Sequence, residues 1–271
     1  MKLRGIAHVH STYSYDGCHA LAELARFASA RGLDFVLMSE HNRTLTPESM
    51  AAFVAECDAL SDEHGVLMVP GIECEATPDY VHVLGYGVRA LVTARDAGAI
   101  VSGIHAAGGF AVLAHPVYRE ALTHVAPAAL AALDGFEVWN GKADGGAYPS
   151  ETAIERLQAL RAGGRAPVPM AGADLHRLEA YPGITIEVTC RARDGAAILE
   201  ALARRDYRVA GAAWSFTATD ALAPPPMSPR RFLAVAARDI RRRAKRAHAW
   251  LARRGLRAPA PLAHAARRVL R

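Results

Sequence analysis

The chain has few cysteines, and no two of them have the spacing of a zinc or redox motif. The four are Cys18, Cys57, Cys74 and Cys190 in a chain of 271 residues. Cysteines separated by two residues are typical of thiolate zinc sites and redox-active disulfides, so neither kind of site is expected. Isolated cysteines are typical of reduced thiols, and the sequence therefore predicts a cytoplasmic protein.

The sequence also lacks a long apolar run, a glycine-rich loop and a nucleophile elbow. Its most apolar long stretch, residues 97–117, is interrupted by His105, His115 and several glycines, whereas a membrane span needs about 20 apolar residues in succession. We see no secretory leader. No glycine-rich phosphate loop follows the first strand-like run, and no G-x-S-x-G motif is present. A membrane protein, a nucleotide-fold enzyme and a serine hydrolase are therefore not expected.

Strand-like and helical patterns alternate along most of the chain, of which 51% is hydrophobic. Strand-like runs end near residues 9, 39, 72, 86, 113, 138 and 173, and another covers 183–189. Helical stretches are predicted at about 20–30, 47–64, 93–107, 127–133, 150–162 and 195–205. Such alternation predicts a mainly parallel α/β architecture, and a single barrel of this length is common.

The net charge of +5 conceals a strong asymmetry. Residues 228–271 carry 14 lysines and arginines against one acid, Asp239, which leaves 18 basic and 26 acidic residues in the first 227. A proline-rich stretch at 223–229 separates the two parts and favours an extended spacer. The sequence therefore predicts an acidic body over residues 1–222, a linker over 223–229 and a basic helical tail over 230–271.

Two histidines stand one residue apart at the end of the first apolar run. His8 and His10 are followed by Asp16 six residues later. Alternate residues of a strand point to the same side, so both imidazoles can face one point. Alone this pattern is weak evidence, because a strand histidine usually has a structural role.

Ligand-type residues recur at the ends of further apolar runs. They are Glu40 and His41, Glu73, His82, His115, and Asp174 with His176. The carboxyl ends of parallel barrel strands share one rim, where active sites form. These side chains are therefore expected to converge, and the repetition predicts a metalloenzyme.

In order and spacing, this ligand set resembles the PHP family, the polymerase and histidinol phosphatase superfamily. The similarity covers roughly residues 3–212. The matching segments are His8-Val-His10-Ser with Asp16, Glu40-His41-Asn42, Gly-Ile-Glu73, His82-Val-Leu-Gly-Tyr, Leu-Ala-His115-Pro and Ala-Asp174-Leu-His176-Arg177. The resemblance implies a distorted (β/α)7 barrel that carries a site for two or three divalent metals.

The resemblance also implies how the ligands divide among the metals. His8, His10, Glu73 and Asp174 hold one metal, Glu73 bridges to a second held by His82 and His115, and Asp16, His41 and His176 hold a third. Mixed imidazole and carboxylate ligands suit Mn²⁺, Fe²⁺ or Zn²⁺ better than Mg²⁺ or Ca²⁺. One departure is Glu40, which stands where the family usually has aspartate; we expect it to orient His41.

Metal ions in a cluster lower the pKa of bound water and offset negative charge, as phosphate ester hydrolysis requires. We therefore expect a metal-bridging hydroxide to attack a small-molecule phosphomonoester. Arg177 is the foremost candidate for gripping the phosphate, since arginine matches its oxygens bidentately. Arg43 and Lys142 are weaker candidates, and Arg119 is weaker still.

Two other functions fit the sequence. A phosphodiesterase or exonuclease would use the basic tail to hold nucleic acid. A non-catalytic interaction module is disfavoured because the ligand set is complete. The tail reads as an amphipathic helix, for which the acidic body, an anionic membrane surface and nucleic acid are all open as partners. No transmembrane segment is expected.

Overall fold

The computed structural model describes residues 1–164, 167–219, 222, 229, 232, 233, 235–237, 240 and 244. Contacts divide the chain into two compact units, Met1–Pro224 and Pro225–Arg271. In the second unit the described residues are helical. Most of the predicted linker and the rest of the predicted tail lie outside the described residues.

The first unit alternates strands with helices. Its described strands are β1 (Lys2–Val9), β2 (Phe35–Met38), β3 (Glu40–His41), β4 (Leu67–Val69), β5 (Gly71–Glu75), β6 (His82–Tyr86), β7 (Phe110–Leu113), β8 (Gly135–Asn140), β9 (Val168–Gly172), β10 (Thr185–Thr189), β11 (Tyr207–Ala210) and β12 (Ser215–Thr217). Its described helices are α1 (Leu21–Ala30), α2 (Pro47–His64), α3 (Ala97–Ala106), α4 (Pro127–Ala132), α5 (Gly141–Asp144), α6 (Glu151–Ala162) and α7 (Gly195–Ala203). The predicted α/β class is confirmed.

The strands form two mixed sheets. One has the order β12-β11-β10-β1-β2-β4 and the other β3-β5-β6-β7-β8-β9. Parallel pairs join β1 to β2, β2 to β4, β3 to β5, β7 to β8 and β8 to β9, whereas β6 and β10–β12 pair antiparallel to their neighbours. The prediction of a mainly parallel architecture is therefore wrong for these four strands.

Strand β6 runs in reverse because its connection to β5 is short. Only residues 76–81 separate the two strands, and a parallel crossover needs a dozen residues or more. The resulting hairpin pairs Glu75 with His82. His82 therefore begins its strand instead of ending an apolar run, and the reversal still brings it to the edge where β5 ends.

The chain passes from one sheet to the other at two single-residue breaks between strands, and backbone hydrogen bonds join the sheets again near the end of β1. Ser39 separates β2 from β3, and Pro70 separates β4 from β5. Beyond β9, the backbone N–H of Ala173 donates to Ala7 O at 2.8 Å, and that of Leu175 donates to His8 O at 3.0 Å. Backbone hydrogen bonds thus link the last strand of the second sheet to the middle of the first.

Local signals in the sequence set the ends of helix α2. The Thr46 side chain accepts a hydrogen bond from Ser49 N, and Pro47 occupies the first turn, where its missing N–H is not needed. Gly65 ends the helix with φ of 63°, a conformation that glycine adopts without strain. The predicted helix over 47–64 is confirmed. Every helix in the described part of the chain is too short or too polar to cross a lipid bilayer.

The cysteines supply a test of the packing. All four are free; Cys18 is exposed, whereas the others are buried. Burial raises the pKa of the Cys74 thiol to about 12, and it also raises the pKa of Cys57. Since the thiolate is the reactive form, we expect a disulfide reagent at pH 8 to modify one thiol per native chain and four in denaturant. Rapid modification of three or four native thiols would contradict this packing.

Tyr207 joins the two sheets through one buried hydrogen bond. Its hydroxyl donates to Pro169 O at 2.6 Å, from β11 of one sheet to β9 of the other. Tyr207→Phe leaves that carbonyl without a partner, so we expect the free energy of unfolding to fall by about 1–3 kcal/mol. Tyr181→Phe is the control, because its hydroxyl makes a long 3.4 Å bond near the surface. Urea denaturation of both variants tests the claim, and equal losses would contradict it.

Candidate metal centre

Glu73 lies at the centre of a buried cluster of histidines. It is on β5 and only 1% of its surface is exposed. Oε1 lies 2.6 Å from His82 Nδ1 and 3.2 Å from His115 Nε2, and Oε2 lies 3.4 Å from His8 Nε2, 3.2 Å from His10 Nε2 and 3.6 Å from His41 Nδ1. One carboxylate thus contacts five histidines from four separate segments of the sequence.

A second carboxylate, Asp16, extends the cluster toward solvent. Its Oδ2 lies 2.9 Å from His176 Nε2, and its Oδ1 lies 3.4 Å from His41 Nε2. His176 Nδ1 in turn lies 3.3 Å from Asp174 Oδ1. The structure therefore places all nine sequence-predicted ligands in one continuous cluster.

Three of these residues have a backbone conformation that is unusual for anything but glycine. The φ angles are 61° at His8, 28° at His115 and 50° at Asp174. His8 also sits in a bulge, where the register between β1 and β2 shifts. Left-handed conformations cost about 1–3 kcal/mol each and persist where the surroundings enforce them. Bulges redirect side chains, so the simple same-side argument for His8 and His10 does not describe how their rings meet, with centroids 5.2 Å apart.

Several ligand-type atoms in the cluster are buried without a hydrogen-bond partner among the described residues. They are His10 Nε2, Asp16 Oδ1, His41 Nδ1 and His115 Nδ1. A buried polar atom that lacks a partner destabilises the fold by about 1–3 kcal/mol, and a bound cation would satisfy it. These four atoms, three imidazole nitrogens and one carboxylate oxygen, are of the donor types that divalent transition metals bind.

The ligand atoms are also close enough together to share ions. Three groups offer atoms that all lie within 4.8 Å of one another: His10, Asp16, His41 and His176; His8, Glu73 and His115; and His8, His10 and Asp174. The three groups overlap, since His8 and His10 each belong to two of them.

The electrostatics keep the acids ionised. Burial alone would raise the pKa of Glu73, but the surrounding histidines, His82 and His8 foremost, hold it well below its usual range. Burial opposes ionisation of Asp16 as well, but its contact with His176 and the nearby His41 ring outweigh burial, so that its pKa is lowered. Burial lowers the pKa of His10 to about 3. That ring is therefore neutral at pH 7, the form in which histidine binds a metal.

Glu137 orients two of the histidines and was missed by the sequence reasoning. Its Oε1 accepts from His8 Nδ1 at 2.9 Å, and its Oε2 accepts from His115 N at 2.7 Å and from Asn140 Nδ2 at 2.9 Å. A hydrogen bond at Nδ1 leaves His8 Nε2 to face Glu73. The available signal was an acid inside the apolar run of β8, where burial without a partner is unfavourable.

Glu40 acts through serines and not by direct contact with the His41 ring. Its carboxylate accepts from Ser11 N at 2.9 Å and from Ser14 Oγ at 2.5 Å. Ser14 Oγ accepts from His41 N at 2.9 Å and lies 3.3 Å from His10 Nδ1. Because the serine proton goes to Glu40, His10 Nδ1 must be the donor, which leaves the Nε2 lone pair free. Glu40 was expected to orient His41. Its contacts instead hold the loop that contains Ser11 and Ser14, and through Ser14 they hold His10.

The cationic candidates differ in their distance from the cluster. Lys142 Nζ lies 3.5 Å from Asp174 Oδ1 and 3.3 Å from His176 Nε2. Arg43 Nη1 lies 3.7 Å from Glu75 Oε2. Arg177 is exposed directly after His176. Of these three cations, Lys142 is therefore the one seen in contact with predicted metal ligands.

Two further residues near the strand ends lie outside the cluster. Trp139 is fully buried, and its indole donates to Gly145 O at 2.7 Å. His105 lies on α3 and pairs with Asp134 at 2.8 Å. Both have core or surface roles in the described structure.

Solved structures share this fold. A two-domain protein from Bacteroides vulgatus ATCC 8482 that contains a predicted PHP-like metal-dependent phosphoesterase matches with a TM-score of 0.58 and 20% identity over 78% of this chain. A proposed metal-dependent phosphoesterase from Bifidobacterium adolescentis ATCC 15703 matches with a TM-score of 0.50 and 18% identity, over 74% of this chain and 96% of its own.

A nuclease is also similar. The lesion-specific endonuclease PfuEndoQ from Pyrococcus furiosus matches with a TM-score of 0.51 and 15% identity, over 75% of this chain and 56% of its own. The present chain spans 65% of the Bacteroides vulgatus protein. Comparisons with protein-family models and with curated proteins give no match.

These likenesses define the class of fold. The described body of the chain has the fold of the PHP-like metal-dependent phosphoesterases, as its ligand pattern predicts.

Proposed function

We propose that the protein is a metal-dependent phosphatase that hydrolyses a small phosphomonoester. The observation that carries the proposal is the convergence of all nine predicted ligands around Glu73, with unpartnered nitrogen and oxygen atoms that call for cations. The fold shared with metal-dependent phosphoesterases supports the same reaction class.

We further propose that the cluster holds two or three ions of Mn²⁺, Fe²⁺ or Zn²⁺. Glu73 would be shared by two of them, with His8, His10 and Asp174 on one and His82 and His115 on the other, while Asp16, His41 and His176 would hold a third. Such ions, when bound, supply a nucleophilic water of lowered pKa and neutralise the charge of the phosphate.

The chain's own residues prepare the site for those ions. Glu137 and Ser14 hold the Nδ1–H groups of His8 and His10, which leaves each Nε2 as a ligand atom. Asn140 Nδ2 donates to Asp174 Oδ2 at 3.2 Å and to Glu137 Oε2, so it links a proposed ligand to the residue that orients two others. Preorganisation of this kind lowers the cost of assembling the site on binding.

Lys142 is proposed to bind the substrate phosphate. Its ammonium lies at the edge of the cluster, and a cation there can neutralise a non-bridging oxygen. We expect Lys142→Ala to lower kcat/KM by about 100-fold, within the range for loss of one such donor. Arg177→Ala is the matched control, and steady-state phosphate release compares the two. A larger loss in the Arg177 variant would reverse the assignment.

We propose that the two sheets are arcs of one distorted seven-stranded barrel. On one side, the hydrogen bonds from Ala173 and Leu175 to the β1 backbone would join β9 to β1. On the other side, β2 continues into β3 and β4 into β5 after a single residue, so each pair would count as one barrel strand. In that interpretation β10, β11 and β12 extend from β1 outside the ring.

A phosphodiesterase or nuclease is the second candidate function. The similarity to endonuclease Q favours it. So does the charge of residues 228–271, which contain 14 basic residues and one acid. We propose that this basic tail, following the proline-rich linker, would then contact the phosphate backbone. Counterion release would make that binding weaken steeply with salt.

Hydrolysis of a substrate panel by Mn²⁺-loaded protein tests the proposal. Phosphate release follows a set of phosphomonoesters, and chromatography of the products follows a phosphodiester and a short oligonucleotide, with a chelator-treated sample as the metal-free control. Monoester turnover that is lost on chelation and restored by Mn²⁺ supports the phosphatase. Cleavage of the diester or oligonucleotide alone supports the nuclease, and no turnover by protein shown to hold metal would reject both.

A further inference from the structure

The basic tail carries exposed apolar residues as well as positive charge. Of the large hydrophobic residues that are well exposed in the described structure, Phe232, Leu233 and Ile240 lie close together in this segment, with exposed fractions of 62%, 67% and 60%. Single exposed apolar residues are ordinary on a protein surface. Several of them side by side, rimmed by polar residues, are typical of an interaction site.

The three apolar residues fall on one side of a helix. The described residues of the second unit, at 229, 232, 233, 235–237, 240 and 244, are helical. A helix turns by about 100° per residue, which puts Leu233 about 100° and Ile240 about 80° from Phe232 around the axis. An apolar arc of about this width is typical of a helix that lies against an apolar environment.

The sequence puts most of the nearby positive charge on the opposite side of the same helical pattern. With Phe232 as the origin, the arc between about 180° and 280° contains five basic residues, namely Arg231, Arg238, Arg241, Arg242 and Lys245. Arg243 falls inside the apolar arc at about 20°, and the long apolar stem of an arginine lets its charged end reach past such a surface. These basic residues lie outside the described ones, so their placement is a prediction from the sequence.

A surface that combines these two properties fits an anionic lipid bilayer better than it fits nucleic acid. Basic residues bind the phosphate groups of either partner. The aliphatic side chains of Leu233 and Ile240 have no ring with which to stack on a base. A bilayer, in contrast, accepts aliphatic and aromatic side chains alike at the boundary between headgroups and acyl chains. The exposed apolar residues therefore favour the bilayer as the partner.

The charge of the rest of the chain confines this interaction to the tail. Residues 1–227 contain 18 basic and 26 acidic residues, whereas residues 228–271 contain 14 basic residues and one acid. A negative surface attracts clustered basic residues within about one Debye length and repels acidic ones. Binding to anionic lipid should therefore depend on the tail alone.

We propose that the basic tail binds the surface of a bilayer that contains anionic phospholipids, with Phe232, Leu233 and Ile240 buried between the lipid headgroups. The inference goes beyond the proposed phosphatase function, because it concerns where the protein is held, and its test needs no turnover. Trp250 and Leu251 continue the apolar arc in the sequence, at about 0° and 100°, although both lie outside the described residues.

Sedimentation of the full chain with lipid vesicles tests the proposal. Wild type should bind vesicles of equimolar phosphatidylglycerol and phosphatidylcholine at least about 100-fold more tightly than vesicles of phosphatidylcholine alone, since several basic residues each contribute. The combined substitutions Phe232→Ser, Leu233→Ser and Ile240→Ser should weaken binding to the anionic vesicles at least about 100-fold, because the burial of three large apolar side chains is lost.

A conservative variant is the matched control for the serine variant. The combined substitutions Phe232→Leu, Leu233→Met and Ile240→Leu keep the apolar surface and should keep wild-type binding. Circular dichroism should show the same fold in both variants, since all three residues are exposed. Equal binding of wild type to neutral and anionic vesicles, or serine and wild-type proteins that bind the anionic vesicles equally, would overturn the proposal.

A short oligonucleotide, followed by fluorescence anisotropy, distinguishes the other partner. Oligonucleotide binding that the serine variant retains, together with no binding of wild type to anionic vesicles, would assign the tail to nucleic acid and overturn the proposal. Absence of binding to both would overturn it as well and leave the tail a role within the protein itself.

Discussion

Replacing Glu73 by glutamine is expected to lower kcat/KM by more than about 100-fold, the upper end for losing a residue that only orients a metal ligand. The carboxylate contacts five histidines, and no other acid in the described structure occupies its place. An amide oxygen is a weaker ligand and carries no charge to share between two cations. Metal content should fall in parallel with activity.

Glu75→Gln is the matched control for that experiment. Glu75 lies on the same strand, is buried to a similar degree, and its recorded ion pair is with Arg43. Both variants lose one buried carboxylate, so circular dichroism should show similar folding in each. Metal analysis should find the wild-type content in the Glu75 variant only. Equal metal loss in both, or full metal content in Glu73→Gln, would show that Glu73 does not anchor the ions.

A single added methyl group at Gly172 is expected to disable the site without replacing any ligand. A Cβ atom there would lie 2.1 Å from Glu137 Oε1 and 2.6 Å from His8 Cβ, so both side chains must shift. Overpacking of this kind costs about 1–3 kcal/mol of stability. A displacement near 1 Å at a reacting centre can cost about 100-fold in rate, and we expect Gly172→Ala to lose activity on that scale.

Gly195→Ala makes the same chemical change where the structure has room. Gly195 begins helix α7, and an added Cβ would meet Val69 at an ordinary 3.4 Å. Alanine in a helix is favoured over glycine by up to about 1 kcal/mol, so stability should hold or rise and activity should be retained. Thermal denaturation and phosphate release measured on both variants test the contrast. An active Gly172→Ala protein would show that the contact between Glu137 and His8 is not needed.

The convergence of the ligands could be predicted because it depends on residue type and position in the chain. Most of the ligands sit at the end of a recognisable apolar run or just beyond it, and the ends of parallel strands meet on one side of a sheet. The hairpin of β5 and β6 shows the limit of that rule. His82 joins Glu73 because a short connection reverses its strand, and the short connection was visible in the sequence as the lack of a helix between residues 75 and 82.

The residues that orient the ligands were harder to find because their partners are distant in sequence. Glu137 reaches His8 across 129 positions, and Ser14 links Glu40 to His10 through a hydroxyl that has no periodic pattern. Left-handed backbone at Asp174 is likewise enforced by surrounding structure, since its own residue type only weakly favours it. Strands β11 and β12 were missed because they are only four and three residues long, too short for the alternation of their side chains to stand out in the sequence.

The central claim is that Glu73 anchors a divalent metal cluster, and anomalous X-ray scattering from Mn²⁺-soaked crystals tests it most directly. The account predicts at least two anomalous peaks, one of them within about 2.3 Å of Glu73 and of a histidine nitrogen, as expected for first-row metals bound to nitrogen and oxygen ligands. Peaks confined to the protein surface, with Glu73 and its histidines free of metal, would contradict it.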